Sequence, residues 1–220
     1  MRAVIFANGV LNDPGGVSGL MAEDNLLIAA DGGSRHCLSL KLTPDIIIGD
    51  FDYLEPEILQ AFESRGSQVI QHPAHKDFTD LELALRYASE QGADDILVFG
   101  ALGDRWDQTL ANLLLPAHPD LVNARIRLID ANQEIYLIRS GQTFQVHGLP
   151  GDTVSLVPIH GEVNGVSTQG LEYPLSDETL DFGATRGVSN VLLERQAEIF
   201  VRKGLLLCII IHQEGYKYEV

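Results

Sequence analysis

The chain changes rhythm near residues 130–133. Before that point, short apolar runs alternate with segments whose apolar residues recur every three or four positions. The runs 3–7, 26–30, 45–48, 68–71, 95–99 and 126–129 predict strands. Several are apolar throughout, as expected where helices cover both faces of a sheet. The segments 34–40, 56–65, 80–91 and 106–115 predict helices. In the helix from Asp80, Leu81, Ala84, Leu85 and Ala88 make one apolar stripe. Glu82, Arg86 and Glu90 stand at i, i+4 spacing on another face, and Thr79 with Glu82 fits a capping box. Strands alternating with helices require crossover connections and hence a mostly parallel sheet.

Beyond Asp130 the helical period stops. Strand-like runs at 134–138, 143–147, 153–158, 161–168, 198–202 and 205–212 are separated by turn signals such as Ser140-Gly141, Pro150-Gly151-Asp152 and Lys203-Gly204. This predicts an antiparallel β-sandwich or barrel. The expected architecture is therefore an α/β domain over 1–131 followed by a β-rich domain over 132–220.

Composition narrows the function classes. Fifteen Lys plus Arg against 31 Asp plus Glu give a formal charge of −16 over 220 residues. Such a chain repels phosphate backbones, so a nucleic-acid partner is not expected. A bound polyphosphate would need a metal ion or a few well-placed cations. Cys37 and Cys208 lack motif spacing and read as buried thiols in a reducing cytoplasm. The longest apolar run, Leu205 to Ile211, is too short for a bilayer, so no membrane association is expected.

Candidate chemistry lies just after the predicted strands, where an open parallel sheet lines its ligand crevice. Asp31-Gly32-Gly33 could let a ligand approach the backbone, or could be a tight strand-to-helix turn. Asp50 and Asp52, delivered by the buried run Ile46–Ile48, could share one hard cation such as Mg²⁺, or sit in a solvated acidic loop. In His75-Lys76-Asp77-Phe78-Thr79-Asp80, Lys76 could neutralise a phosphate while Asp77 and Asp80 contact metal or substrate. Thr79 and the acids are equally suited to a helix start. In Gly100 to Gln108, glycine N–H groups and Arg105 suit a phosphate, and Asp107 and Gln108 offer polar contacts; the alternative is a salt-bridged turn. Thr185-Arg186-Gly187-Val188-Ser189-Asn190 reads by itself as a turn.

Taken together and in this order, these segments resemble the thiamin pyrophosphokinase family. The matching pieces are Asp31-Gly32-Gly33, Ile48-Gly49-Asp50-Phe51-Asp52, Lys76 to Glu82, Gly103 to Gln108, and Thr185 to Asn190. The resemblance implies transfer of a pyrophosphoryl group from ATP to thiamine, giving thiamine diphosphate and AMP. It implies Mg²⁺ at Asp50, Asp52 and Asp77 with Asp80 close by. Lys76 and Arg105 would hold ATP phosphates, with Asp31, Gly32, Thr79, Gly103, Asp107 and Gln108 around the nucleotide, and Ser189 and Asn190 would face thiamine. It also implies a homodimer in which the α/β part of one subunit meets the β part of the other. A cationic thiazolium suits an acidic pocket beside Trp106. Three positions depart from the family pattern: Asp104 where a second glycine is common, Gln108 where histidine is frequent, and Tyr53 in place of a small serine. Competing readings are a pyrophosphokinase for another ring alcohol such as a pterin, a Mg²⁺-dependent phosphohydrolase, and a non-catalytic sensor of thiamine diphosphate.

Overall fold

A computed structural model describes residues 1–52, 54–73 and 77–213. The chain divides after Ala131 into two compact units.

The first unit is built on six parallel strands: β1 (Arg2–Phe6), β2 (Leu26–Ala30), β3 (Ile46–Gly49), β4 (Gln68–Gln71), β5 (Asp95–Phe99) and β6 (Arg125–Asp130). Their spatial order is β6-β5-β1-β2-β3-β4. Four residues each of β1, β2 and β5 are buried in unbroken succession, because both faces of the sheet are covered. A one-turn helix, α1 (Pro14–Val17), precedes β2; the larger helices are α2 (Gly33–Ser39), α3 (Pro56–Glu63), α4 (Asp80–Glu90) and α5 (Trp106–Leu114). The expected stripe of α4 is buried at Leu81, Ala84, Leu85 and Ala88, and Thr79 Oγ1 accepts from the Glu82 amide at 3.2 Å. Phe6 and Phe99 stack at 5.5 Å in a core shared with Cys37 and Phe62. Each such fully buried side chain contributes about 1.5–3 kcal/mol.

The second unit is a sandwich of two antiparallel sheets. Its strands are β7 (Gln133–Arg139), β8 (Gln142–His147), β9 (Thr153–Pro158), β10 (Val163–Gln169), β11 (Glu178–Leu180), β12 (Asn190–Val191), β13 (Gln196–Lys203) and β14 (Leu205–Ile211). One sheet runs β12-β9-β14-β7 and the other β11-β10-β13-β8. In β13, Ala197, Ile199 and Val201 turn inward while the residues between them are more exposed, the alternation expected of a sheet buried on one face. The short β11 and β12 carry too few residues to show a period, and the hydrophobic pattern did not predict them.

Candidate functional site

The strand order brings most of the chemistry-bearing segments to one edge of the first unit. The chain leaves β1 through β2, β3 and β4, then returns to β5 on its other side, so a topological switch lies at the carboxyl ends of β1 and β5. Asp31 directly follows β2, and its amide donates to the Ile48 carbonyl on β3 at 2.9 Å. This close approach explains Gly49: a Cβ there would lie 3.0 Å from the Asp31 Cβ. Gly33 is required for a similar reason, since its Cβ would stand 1.9 Å from the Phe6 carbonyl oxygen. Gly32 is buried against the Asn8 side chain.

Carboxylate oxygens of Asp31, Asp50 and Asp80 lie within 4.8 Å of one another. They come from the ends of β2 and β3 and the first turn of α4, segments far apart in sequence. Asp31 is only 6% exposed, and its Oδ1 has no hydrogen-bond partner among the described residues. Burial pushes its carboxyl above the ordinary range, with the Asp80 and Asp50 carboxylates adding to the rise and the Gly32 amide opposing it. Its backbone is held at φ 44°, a left-handed conformation that Asp tolerates better than most residues. A buried oxygen without a donor, facing two further acids, fits a hard divalent cation.

The grouping differs from the set implied by resemblance. Asp31 stands among the converging acids, whereas Asp52 and Asp77 are exposed and outside the group. The Asp52 amide donates to Asp50 Oδ1 at 3.3 Å. Thr79 serves as the cap of α4. Lys76, His75 and Tyr53 lie outside the described residues.

After β5 the turn runs through Gly100 and Gly103, at φ 66° and 87°, and Asp104, at φ 60°. Asp104 thus occupies a left-handed position that glycine would adopt without strain. Arg105 is exposed and pairs with Asp107 at 3.1 and 2.5 Å, and the partnership holds the Asp107 carboxyl below its ordinary range. The Gly103 amide donates to Thr109 Oγ1 at 3.1 Å, so this N–H braces the turn in the structure. Gln108 is exposed on the first turn of α5.

In the second unit, Ser189 is held at φ 62° and its amide donates to Ser155 Oγ at 3.0 Å. Asn190 is buried and engaged: its Oδ1 accepts from the amides of Tyr173 and Val191, and its Nδ2 donates to the Tyr173 carbonyl. Among the described residues, one N–H of that amide is left over. Asn190 lines a cavity of about 250 Å³ with Leu156, Tyr173, Pro174, Leu175, Arg186 and Gly187. The sequence reading missed Tyr173 to Leu175. An aromatic followed by proline between two strands was their only signal.

Comparison with known proteins agrees with both units. Residues 17–128 match the thiamin pyrophosphokinase catalytic domain, and residues 137–206 match the thiamin pyrophosphokinase vitamin B1 binding domain. A thiamine pyrophosphokinase of Bacillus subtilis is 30% identical over 205 residues, covering 93% of this chain and 96% of that protein. Thiamine pyrophosphokinase 1 of Arabidopsis thaliana is 30% identical over 225 residues, covering 91% and 83%. The crystal structure of a thiamine pyrophosphokinase from Bacillus subtilis superposes with a TM-score of 0.87 at 28% identity, covering 97% of this chain and 100% of that one. With two domain families in the expected order along a chain whose acids converge at the carboxyl edge of its parallel sheet, the protein belongs to the thiamin pyrophosphokinase family.

Proposed function

We propose that this chain transfers a pyrophosphoryl group from ATP to the hydroxyethyl oxygen of thiamine, producing thiamine diphosphate and AMP. The observation that carries this reading is the meeting of Asp31, Asp50 and Asp80 at the sheet's carboxyl edge, with one buried oxygen lacking a donor, in a chain of this family.

Asp31, Asp50 and Asp80 would hold Mg²⁺, with Asp52 and Asp77 on the flanking segments adding negative charge around the site. The chemistry a divalent cation would supply there is neutralisation of polyphosphate charge. Arg105 exchanges Asp107 for phosphate oxygens; both groups are exposed, so the exchange is inexpensive. Lys76 supplies a second cation, as the family resemblance implies. Asp80, half-buried on the first turn of α4, would give one carboxylate oxygen to the metal and keep the other to take the hydroxyl proton as the oxygen approaches in line. In the second unit Asn190 retains one N–H for the acceptor ring, and the neighbouring cavity gives an apolar wall. At about 250 Å³ the cavity is slightly smaller than the ~300–1,000 Å³ usual for ligand clefts, so it holds part of the acceptor.

A homodimer belongs to the same proposal. Trp106, 85% exposed, lines up with the exposed Leu110 and Leu114 on α5, an apolar face suited to a second copy of the chain. A mass of twice 24.1 kDa in light scattering is the expected result. Among the described residues no helix is long and apolar enough to cross a membrane. Two buried free thiols suit a cytoplasmic setting, burial raising that of Cys37 to about 12.

The test is incubation with ATP, Mg²⁺ and a panel of ring alcohols. AMP formed with thiamine and with no pterin alcohol is the expected outcome. AMP with another acceptor, phosphate released without any acceptor, or thiamine diphosphate bound without turnover would each replace this reading with one of its rivals.

A further inference from the structure

Asp80 reaches the acidic group from the turn that opens α4. The turn before α4 is capped by one bond from the Glu82 amide to Thr79 Oγ1, and Phe78 just ahead of it is exposed at 43%. Arg86, one helical turn beyond Glu82, also packs on this turn. The Arg86 guanidinium lies over the Phe78 ring at 4.9 Å. Its Nε and NH2 donate to Glu82 Oε1 at 3.0 and 2.9 Å. Its NH1 donates to Asp120, in the short 3₁₀ turn Pro119–Leu121 that precedes β6, and His118 lies beside it. Glu82 is therefore used at both ends, its amide on Thr79 and its carboxylate on Arg86. The guanidinium is thus fixed by Asp120 on one side and presses on Phe78 with its face. A planar cation with several donors can do both at once, and a lysine ammonium cannot.

We propose that Arg86 is a positioning residue for the transfer reaction, fixing the turn 77–80 so that the Asp80 carboxylate stays beside Asp31 and Asp50. The proposal rests on the reading of those three acids as a metal site. Arg86 touches neither metal nor substrate in it. It acts through Phe78 and Glu82 on the direction of one ligand, as groups behind metal ligands do.

The test measures Mn²⁺ binding by electron paramagnetic resonance on the full chain without nucleotide, in wild type, Arg86→Lys, Phe78→Leu and the double variant. Melting temperature and turnover are recorded beside it. Arg86→Lys should weaken Mn²⁺ binding about tenfold and raise the metal concentration needed for half-maximal turnover in parallel, with kcat at saturating metal within about twofold. Phe78→Leu, at an exposed ring, should weaken binding in the same direction without a folding defect. The double variant should be no weaker than the more affected single variant, because both act through one contact. Unchanged Mn²⁺ affinity in Arg86→Lys and Phe78→Leu overturns the positioning role, whatever happens to melting temperature. Losses that simply add in the double variant overturn it as well. Wild-type protein that binds no Mn²⁺ defeats the metal reading itself, and this proposal with it.

Discussion

Two buried aspartates, one in each unit, show opposite uses of the same side chain. Asp31 in the parallel-sheet unit is 6% exposed and Asp152 in the sandwich is 2% exposed. Asp152 is fully engaged. Its Oδ2 accepts from the Leu149 amide at 2.9 Å and meets His212 Nδ1 at 2.8 Å, and its Oδ1 accepts from the Gln213 amide at 2.9 Å. Burial pushes its carboxyl up, but the Leu149 and Gln213 amides and His212 outweigh burial and hold it below its ordinary range. Asp31 faces two other acids and has, among the described residues, no donor for one oxygen, so burial prevails and its carboxyl is raised. Burial alone therefore does not mark a functional acid. Burial without compensation is what sets a candidate apart, because a structural acid keeps its place only when its charge is answered.

That contrast can be broken in several ways. The largest expected effect is on rate. Asp50→Asn should lower turnover by about 10⁴-fold, ~5.5 kcal/mol of barrier, with the melting temperature nearly unchanged. Near-normal turnover at saturating Mg²⁺ would remove Asp50 from the mechanism. Next comes Asp152→Asn. It removes one of the two carboxylates that answer the buried His212, and should destabilise the protein by about 3 kcal/mol in urea titration. Asp31→Asn should do the reverse, gaining about 1 kcal/mol of stability while losing activity, because it removes one of three crowded charges. A fall in stability comparable to that of Asp152→Asn would erase the distinction between the two acids.

The sandwich also carries a pH signature. Burial lowers the proton affinity of His212, but Glu134 and Asp152 outweigh it and raise the imidazole above its ordinary value near 6.5. A raised histidine contributes stability that is fully present below its unfolded value and is lost as pH rises through the folded one. The depressed Asp152 contributes above its unfolded value near 3.8, and that share disappears as pH falls through the lower folded value. Calorimetry from pH 5 to 9 should show stability declining on the alkaline side, and His212→Asn should flatten that decline. The smallest effect is expected at Asp104. Replacing it by glycine relieves a left-handed backbone but loosens the unfolded chain, so stability should move by no more than about 1 kcal/mol. The KM for ATP should fall severalfold as an anion leaves the turn proposed to meet phosphate, a change that steady-state kinetics would read.

Much of this was legible in the residues. Continuous apolar runs gave the parallel strands, the stripe Leu81-Ala84-Leu85-Ala88 gave α4, and the change of period placed a boundary near 130–133, where the two units divide after Ala131. Motif order was sufficient to resemble the family. The pieces of the site were visible as well, but each only as one of two readings, turn or ligand, because spacing along the chain cannot separate a capping acid from a metal-binding one.

The sequence by itself determined most of the elements and the residues at their ends, all but short pieces such as β11 and β12, since hydrophobic period and turn chemistry act over a few neighbouring positions. Tertiary structure decided which of those ends meet. Strand order set Asp31 beside Asp50 and Asp80 while leaving Asp52 and Asp77 exposed, and it carried Asp120 from 34 residues away onto Arg86. Those encounters depend on the path of the crossovers and on the burial of a single oxygen, and neither has a local pattern to betray it.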